Sequence, residues 1–178
     1  MTKQRQGTII LLTGVSGSGK TTLGSAIAKA IVRKSCRPVE FIDGDTARLF
    51  LDTGLGFTPQ ERMLITKQIA YAAFLLSKNG VHVIVANIAG SYKTRDYLRR
   101  SWRKYVQIYL DVDINDCIRN DPKGVYKKAL RRKHPLLYGL DIPYDRPRNP
   151  DITVYPYKES VRESLRKIIA ILEKRKVI

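Results

Sequence analysis

The feature that most constrains the fold is a glycine-rich stretch between an apolar run and a helical pattern. The stretch, Gly14–Thr21, reads GVSGSGKT and follows the run Thr8–Thr13. That run is apolar without alternation, which is typical of a strand buried on both faces. Apolar side chains then recur at helical spacing over Thr21–Arg33. Because glycines allow close backbone approach and helix N-termini attract anions, the stretch predicts a phosphate-binding loop.

The stretch matches the pattern G-x-x-x-x-G-K-[ST], which indicates how a nucleoside triphosphate would be held. Lys20 would reach the β- and γ-phosphates, and the Thr21 hydroxyl would ligate Mg²⁺. The alternative is a chance glycine-rich turn, but a position between strand and helix argues against it. The residues predicted to bind ATP are Gly14, Ser16, Gly17, Ser18, Gly19, Lys20, Thr21 and Thr22. We therefore expect ATP and Mg²⁺ as cofactors, and the small size of the chain favours a small-molecule kinase.

Strand and helix patterns alternate along the rest of the chain. Further buried strands are predicted over Val39–Ile42, Val81–Ala86, Val106–Leu110 and Ile152–Tyr155. Helices are predicted from Thr58 to about Asn79, around Arg95–Arg103, over Asn115–Asn120 and over Lys158–Arg175. The alternation predicts an α/β fold, with a parallel sheet of about five strands and helices on both faces. We expect residues 1–178 to form one domain in which segment 121–150, rich in proline and lysine, is a mobile basic lid.

Composition and charge limit the classes of partner. The 178 residues include 33 Lys and Arg against 16 Asp and Glu, a net charge of +17. The partners should therefore be anionic, such as nucleotides, nucleic acid or a lipid surface. No apolar run approaches the roughly 20 residues of a membrane span, and the polar N-terminus shows no secretory signal. With two cysteines, too few for a disulfide framework, we expect a soluble cytoplasmic protein with no membrane partner.

Two aspartates follow the second predicted strand. Asp43 and Asp45 would lie at the carboxyl end of a parallel strand, which is the edge where open α/β sheets bind ligands. Phosphoryl transfer to a hydroxyl group needs one carboxylate to accept the proton and another to help place Mg²⁺. Arg48, three residues further on, is a candidate for holding an acceptor anion. The alternative is that Asp43-Gly44-Asp45 is only a capping turn.

A run of basic residues follows in the predicted lid, on either side of Gly124. These residues are Lys123, Lys127, Lys128, Arg131, Arg132 and Lys133. Closing them over two nucleotides would offset the repulsion between anionic substrates and exclude water. The alternative is a solvated basic face, which is the commoner fate of such a run.

Together these motifs resemble the adenylylsulfate kinase (APS kinase) family. The matching blocks are GVSGSGKTT (Gly14–Thr22), DGDTAR (Asp43–Arg48), LGFT (Leu55–Thr58), DPKGVYKKA (Asp121–Ala129) and DIPYDRP (Asp141–Pro147). They run in family order over nearly the whole chain. The resemblance implies a fold like that of P-loop nucleotide kinases, usually as a homodimer. It also implies MgATP-dependent phosphorylation of the ribose 3′-hydroxyl of adenosine 5′-phosphosulfate (APS), giving PAPS, in sulfate activation.

The resemblance assigns catalytic roles position by position. Asp45 corresponds to the family's catalytic base, and Asp43 to its partner in ordering the metal and the acceptor hydroxyl. With Lys20, which would stabilise the transferring charge, these aspartates are the expected catalytic residues.

The resemblance also assigns residues to the acceptor. Arg48 and Arg62 correspond to arginines that hold its anionic groups, Phe57 to an aromatic that packs on its adenine, and Lys123 to the lid. The full set of expected acceptor-binding residues is Asp43, Arg48, Phe57, Arg62, Asn87, Ile88, Lys123 and Tyr138.

Several acceptor-side positions depart from the family pattern. An acceptor-binding asparagine is Ile65 here, and an arginine is Lys67. The family's Phe-Ile-Ser-Pro reads Asn87-Ile88-Ala89-Gly90, and its Phe-Thr-Gly, whose phenylalanine completes an adenine sandwich, reads Leu137-Tyr138-Gly139. The arginine before Asp-Pro-Lys-Gly is Asn120. A site built on polar contacts can lose much of its affinity when one partner is missing.

These departures leave two interpretations of the acceptor. In one, the chain is a divergent APS kinase in which Asn87 and Tyr138 compensate. In the other, the same chemistry acts on a different nucleotide, such as cytidine diphosphoramidate in capsule modification, which a branch of the family phosphorylates.

A function of another class would be non-catalytic binding of nucleotide or RNA. The stretch Arg99–Tyr105 mixes basic and aromatic residues, but no RNA-binding signature accompanies it, and Trp102 is better explained as a helix anchor. We therefore do not expect nucleic acid as a partner. His82 and His134 have no metal-ligating neighbours in the sequence, so Mg²⁺ with ATP is the only metal expected.

Overall fold

The first apolar run forms the central strand of the sheet. β1 (Ile9–Thr13) is buried along its whole length and pairs in parallel with β3 (His82–Ala86) and β4 (Tyr105–Leu110). β2 (Val39–Asp43) and β5 (Ile152–Val154) form the edges, so the order is β2-β3-β1-β4-β5. The predicted parallel sheet of about five strands is confirmed. The structure is a computed structural model and describes residues 6–51, 54–121, 123–131 and 136–178.

Helices cover both faces of the sheet. They are α1 (Lys20–Ser35), α2 (Gly44–Leu51), α3 (Pro59–Lys78), α4 (Tyr92–Ser101), α5 (Ile114–Asn120), α6 (Val125–Leu130) and α7 (Val161–Lys174). One apolar cluster joins α1 and α7 to the sheet through residues such as Leu12 and Ile168. A second cluster joins α3 and α4 to the other face, through Leu11 and Leu98. Leu11 and Leu12 belong to different clusters because successive side chains of a strand point to opposite faces.

Local signals in the sequence set several helix ends. The Thr58 hydroxyl accepts a hydrogen bond from the Glu61 amide, and the Glu61 carboxylate accepts one from the Thr58 amide, so α3 begins with a capping box and Pro59. Gly80, just past α3, has a φ of +84°, as expected of a helix stop. Trp102 is buried after α4, and its indole N–H donates to a carbonyl of α3 at 3.1 Å, which confirms it as a helix anchor.

The sequence patterns do not predict α2 or α6. α2 begins at Gly44, where the sequence indicates only a turn, because the Asp43 carboxylate accepts hydrogen bonds from the amides of Asp45 and Thr46. α6 follows Gly124, whose φ of +65° lies in the left-handed region. Both helices are too short for an apolar periodicity to be visible over a window of some 11–18 residues.

The segment predicted to be a mobile lid is tied to the phosphate-binding loop. Tyr126 is fully buried and Leu137 nearly so, and both pack in one cluster with Val15 of the loop and Cys117 of α5. The described part of the segment therefore packs against the loop, although its composition predicts mobility, and the motion of the segment stays a prediction. Positions 122 and 132–135, which include the predicted lid residues Arg132 and Lys133 and also His134, lie outside the described residues.

The register of the sheet brings the predicted site residues to one edge. Asp43 at the end of β2 is level with Ala86 of β3, which is level with Leu12 of β1. The loop after β1, the aspartates after β2 and Asn87 after β3 therefore emerge side by side. In the sheet, β2 and β3 lie on one side of β1, and β4 and β5 lie on the other side. Parallel sheets of this kind bind ligands at the point where the strand order reverses, which here is β1.

Within the described ranges, no helix combines the length and the apolar character needed to cross a bilayer. Cys36 is an exposed free thiol, and Cys117 is a buried one.

Candidate active site

A cleft of about 400 Å³ opens at the carboxyl edge of the sheet. Every predicted acceptor-binding residue lines it, namely Asp43, Arg48, Phe57, Arg62, Asn87, Ile88, Lys123 and Tyr138. The catalytic candidate Asp45 also lines it, as do Ser16, Gly17, Gly19, Lys20, Thr21 and Thr22 of the loop. The other two loop residues predicted to bind ATP, Gly14 and Ser18, do not line this cleft. The cleft thus joins the predicted phosphate and acceptor residues in one space.

Three glycines give the loop its shape. A Cβ on Gly14 would lie 2.8 Å from the Ser18 hydroxyl and 2.9 Å from the Leu110 carbonyl oxygen, so this position has room only for glycine. Gly17 and Gly19 have φ values of +73° and +89°, which other residues adopt at a cost. Gly19 is the N-cap of α1 and has no side chain to satisfy the first amides of the helix. Those amides are therefore left to bind an anion in the cleft.

Lys20 is folded back onto the loop. Its ammonium donates to the carbonyls of Gly14 at 2.9 Å and Val15 at 2.6 Å, and to the Ser18 hydroxyl at 3.2 Å. Burial lowers the pKa of Lys20 to about 8, although the nearby Asp45 carboxylate acts in the opposite direction. A poorly hydrated cation at the base of a cleft is well suited to attract phosphate oxygens.

Thr21 and Asp43 form a pair of oxygen donors at the mouth of the loop. The Thr21 hydroxyl donates to Asp43 Oδ2 at 2.7 Å, while Asp43 Oδ1 caps α2. The capping turn expected as the alternative is therefore present, and the same carboxylate also faces the loop. Hydroxyl and carboxylate oxygens are the ligands that Mg²⁺ prefers, so these two residues fit a Mg²⁺ ion that accompanies a triphosphate.

Asp45 lies on the open side of the cleft and contacts the lid. Its Oδ2 accepts a hydrogen bond from Lys123 Nζ at 2.8 Å, and both side chains are exposed. Partial burial acts to raise the pKa of Asp45, but Lys123, Lys20 and Arg62 outweigh it and hold the pKa below its usual value. The carboxylate is therefore ionised at neutral pH and free to accept a proton once Lys123 moves.

An arginine–aromatic cluster forms the far wall of the cleft. The Arg62 guanidinium lies 5.1 Å from the ring centre of Phe57 and 5.4 Å from that of Tyr138. Its Nε donates to the Phe57 carbonyl at 2.8 Å, and its Nη2 to the Leu136 carbonyl at 2.7 Å. The Arg48 guanidinium also lies 4.3 Å from the ring centre of Phe57. Cation–π contacts hold the rings and guanidinium groups in place for a planar, anionic ligand.

Most positions that depart from the family pattern line the same cleft, whereas Lys67 and Asn120 do not. Ile65 is buried, and Asn87 Oδ1 accepts from the Ala89 amide at 2.8 Å, which leaves Nδ2 at 3.5 Å from the Thr66 hydroxyl. Tyr138 is buried against Gly90, where a Cβ would lie 2.4 Å from the ring. A glycine at position 90 therefore makes room for a tyrosine at position 138.

Of the described basic residues of the lid segment, Lys123 lines the cleft, whereas Lys127, Lys128 and Arg131 are exposed. The expected closure of all these residues over the substrates stays a prediction.

Two tyrosines that support the loop were missed by the sequence reasoning. The Tyr126 hydroxyl donates to the Ser16 carbonyl at 2.8 Å, and the Tyr157 hydroxyl to the Gly17 carbonyl at 3.2 Å. Beneath the loop, burial raises the pKa of Cys117 to about 11, so this thiol is protonated and packs as a small apolar group. Tyr126 belongs to the block DPKGVYKKA, which was a usable signal, whereas Tyr157 follows β5 with no recognisable motif.

A second hollow of about 180 Å³ adjoins the loop, and four of the residues predicted to bind ATP line it, namely Gly17, Ser18, Gly19 and Thr22. It is lined by loop residues and by the segment after β5, including Pro156, Tyr157 and Val161. Since it adjoins Gly17 and Thr22, a nucleotide held on the loop can extend its nucleoside into it.

Comparison with known proteins agrees with this geometry. A profile of the family described as "Adenylylsulphate kinase" matches residues 6–155, which contain all the predicted site residues. A probable adenylyl-sulfate kinase of Pseudomonas aeruginosa is 35% identical over 166 residues, covering 93% of this chain and 77% of that protein. The adenylyl-sulfate kinase of Myxococcus xanthus is 38% identical over 173 residues, covering 95% and 92%.

A comparison with a solved structure supports the same family assignment. The chain superposes on the APS kinase CysC of Mycobacterium tuberculosis, a structure in complex with AMPPNP and APS, with a TM-score of 0.89 and 31% identity. The match covers 94% of this chain and 98% of that one. Both the length of the matches and their identity are sufficient to assign the family, so this chain belongs to the adenylylsulphate kinase family.

Proposed function

We propose that this protein transfers the γ-phosphoryl group of MgATP to the ribose 3′-hydroxyl of APS and so produces PAPS and ADP. The observation that carries the proposal is that the loop, the carboxylate pair and the arginine–aromatic wall line one cleft. Phosphoryl transfer needs these three components together, to hold the donor, accept the proton and orient the acceptor.

The donor end of the cleft would hold the triphosphate. Loop amides and Lys20 bind the β- and γ-phosphates, and Lys20 exchanges its contacts with the Gly14 and Val15 carbonyls for phosphate oxygens. Thr21 and Asp43 would hold Mg²⁺, which supplies positive charge to the phosphate oxygens when bound. Because the loop is preorganised by its glycines, these donors need little rearrangement during transfer.

Asp45 would act as the general base. It accepts the proton of the 3′-hydroxyl as that oxygen bonds to the γ-phosphorus, and the bond from this phosphorus to the β–γ bridging oxygen breaks to release ADP. Its lowered pKa keeps it ionised before transfer. The ion pair with Lys123 must open first, so the arrival of the acceptor is coupled to movement of the lid residue.

The acceptor end would hold APS through its base and its anionic groups. Phe57 and Tyr138 offer two ring faces to the base, while Arg48 and Arg62 supply positive charge to the phosphosulfate. Asn87 and Ile88 contribute a polar and an apolar contact at the end of β3. Tyr138 favours APS over a smaller pyrimidine nucleotide. It supplies an aromatic ring for the adenine next to Leu137, which stands where the family pattern has a phenylalanine.

The experiment is ADP release from MgATP with APS, with cytidine diphosphoramidate and with no acceptor, followed by product mass. We expect APS-dependent release and the mass of PAPS. A phosphorylated cytidine product without APS turnover would show that cytidine diphosphoramidate, and not APS, is the acceptor. Binding of MgATP with no ADP release from any acceptor would replace it with non-catalytic nucleotide binding.

We also propose that the protein is a homodimer, as the family resemblance implies. The cytoplasmic location stays a prediction from the sequence.

A further inference from the structure

Arg95 is a buried cation beside the acceptor end of the cleft, and the proposed reaction gives it no role. It lies in the first half of α4 and is 4% exposed. Within the residues that the structure describes, no ion pair joins Arg95 to a carboxylate. Burial of such a charge is costly unless hydrogen bonds compensate for it. The hydrogen bonds of Arg95 therefore indicate its role.

The Arg95 guanidinium joins two segments that are distant in the sequence. Its Nη1 donates to the Ala89 carbonyl and its Nη2 to the Asp145 carbonyl, each at 2.6 Å. The Asp145 amide in turn donates to the Gly90 carbonyl at 2.9 Å. These three hydrogen bonds close a ring between the segment after β3 and the far end of the predicted lid segment. A guanidinium suits this arrangement because its N–H groups form a rigid fork.

The segment after β3 contains a residue whose backbone has to be held in place. Ala89 is buried and has a φ of +43°, in the left-handed region that a residue with a Cβ adopts only at a cost. Its amide donates to Asn87 Oδ1 at 2.8 Å, and its carbonyl accepts from Arg95. Asn87 and Ile88 immediately precede it and line the cleft. The orientation of these two residues toward an acceptor therefore depends on the conformation of Ala89.

The next residue, Gly90, connects the same ring of hydrogen bonds to Tyr138. Because a Cβ at position 90 would lie 2.4 Å from the Tyr138 ring, the ring lies directly against the Gly90 backbone. Tyr138 also forms a parallel β-bridge with Ile142, three residues before Asp145. The hydrogen bonds that fix Gly90 relative to Asp145 therefore also fix the surface on which the Tyr138 ring rests.

A second link joins the same two segments. The Thr13 hydroxyl donates its proton to the Ile88 carbonyl at 2.5 Å, so it accepts from the Tyr144 hydroxyl at 2.9 Å. Tyr144 is adjacent to Asp145, and its ring centre lies 5.8 Å from the Arg95 guanidinium. The end of the lid segment is therefore attached to the segment after β3 at two neighbouring points.

The charge of Arg95 also acts on the acceptor wall. Burial raises the pKa of the Tyr138 phenol, and the positive charges of Arg62 and Arg95 act in the opposite direction. Arg95 thus influences this wall although it does not line the cleft. A cation that no carboxylate neutralises adds to the positive potential that attracts an anionic acceptor.

We propose that Arg95 is a positioning residue for the acceptor. It holds Ala89–Gly90 and Asp145 in one arrangement. The residues after β3 and the Tyr138 ring are thereby placed against the bound nucleotide. The identity of the acceptor rests on the proposed function, whereas the ring of hydrogen bonds does not.

The first experiment compares steady-state kinetics of Arg95→Met with those of the wild type. The methionine keeps an unbranched apolar side chain but removes the charge and the donors. We expect the KM for APS to rise at least about tenfold, the usual cost of losing a charge-assisted hydrogen bond. The KM for ATP should be almost unchanged. A merely structural role would reduce the active fraction, and hence kcat, without moving either KM.

The matched control is Arg99→Met, one turn further along α4. The Arg99 guanidinium also lies against a tyrosine, 5.1 Å from the ring centre of Tyr105, but it donates to Gln107, which does not line the cleft. Neither KM should change in this control. A loss confined to kcat in Arg95→Met, or an equal rise in both KM values, would overturn the proposal.

The second experiment uses Arg95→Lys, which keeps the charge and loses the fork. It also serves if Arg95→Met does not fold. The KM for APS should lie between those of the wild type and Arg95→Met. A KM equal to that of the wild type would mean that the charge alone is sufficient, and it would overturn the positioning role.

Amide hydrogen exchange of the Arg95→Lys protein without substrates provides a test that needs no turnover. Peptides that cover residues 88–92 and 143–147 should exchange faster than in the wild type, while β1 and the Arg99→Met protein should show no change. Unchanged exchange in both peptides would overturn the proposal. Faster exchange, in a protein whose wild type does not turn over APS, would support the role of Arg95 and contradict only the proposed function.

Discussion

The donor and acceptor ends of the cleft are built in different ways. At the donor end Lys20 reaches carbonyls only five and six residues earlier in the chain. At the acceptor end Arg62 reaches the Leu136 carbonyl, 74 residues away, and its guanidinium contacts the rings of Phe57 and Tyr138, which come from two different segments. Tyr126 and Tyr157 also support the loop from distant segments, but its shape comes from its own glycines and from Lys20. Each of these loop residues is therefore needed, whereas a wall assembled from distant segments can be filled by different side chains. The departures from the family pattern accordingly fall at the acceptor end.

The largest effect is expected at Asp45, where the two ends meet. Asp45→Asn removes the proton acceptor and keeps the shape, so kcat should fall by about 10²–10⁴-fold, which is the usual contribution of a general base. ATP affinity should change much less, because the hydrogen bond of Asp45 is made to Lys123 and not to the loop. Steady-state ADP release and calorimetric ATP binding measure the two quantities.

Asp96→Asn, an exposed carboxylate on α4, is the control for a general loss of negative charge. Turnover of Asp45→Asn within a few-fold of the wild type would show that Asp45 is not the general base. Its only role would then be to position the acceptor.

A smaller effect, confined to the acceptor, is expected at Tyr138. Stacking of a base on an aromatic ring is worth about 1–3 kcal/mol, so Tyr138→Ala should raise the KM for APS about 5- to 150-fold. The KM for ATP should not change, and Tyr138→Phe should retain most of the affinity because it keeps the ring. An equal rise in both KM values would mean that the two ends are not independent, and that Tyr138 supports the cleft as a whole.

The same contrast explains what the sequence could predict. Its donor-end residues form a continuous motif, so the sequence predicted a phosphate-binding loop, and Gly17, Gly19, Lys20 and Thr21 do line the cleft. Their roles toward ATP stay predictions. The parallel sheet and the main helices were predicted from buried runs, helical spacing and capping signals, but the order of the strands was not. The arginine–aromatic cluster was predicted by residue but not by arrangement, because nothing in the sequence indicates that the Arg62 guanidinium lies between Phe57 and Tyr138. Helix α2 was missed because its cap, the Asp43 carboxylate, is also a site residue.

The pH dependence of stability tests how deeply Lys20 is held at the donor end. The folded pKa of about 8 lies below the usual 10.5, so between these values the unfolded chain holds a proton that the folded chain has released. The free energy of unfolding therefore rises with pH across this window. From about pH 7.5 to about pH 9.5, wild type should gain up to about 2 kcal/mol relative to Lys20→Met. Urea denaturation at both pH values measures it, and a constant difference between the two proteins would mean that Lys20 is solvated.

The smallest effect is expected at Tyr157, and it is the counterpart of Tyr138 at the donor end. Tyr157→Phe removes one hydrogen bond to the Gly17 carbonyl, which is worth about 0.5–1.5 kcal/mol, so the KM for ATP should rise about two- to tenfold. The KM for APS should stay constant. Tyr155→Phe, an exposed neighbour in the same segment, is the matched control. A change in the KM for APS in Tyr157→Phe would mean that a change in the loop affects the acceptor end of the cleft. A change in neither KM would mean that contacts between residues close in sequence are sufficient to hold the loop, as its continuous motif indicates.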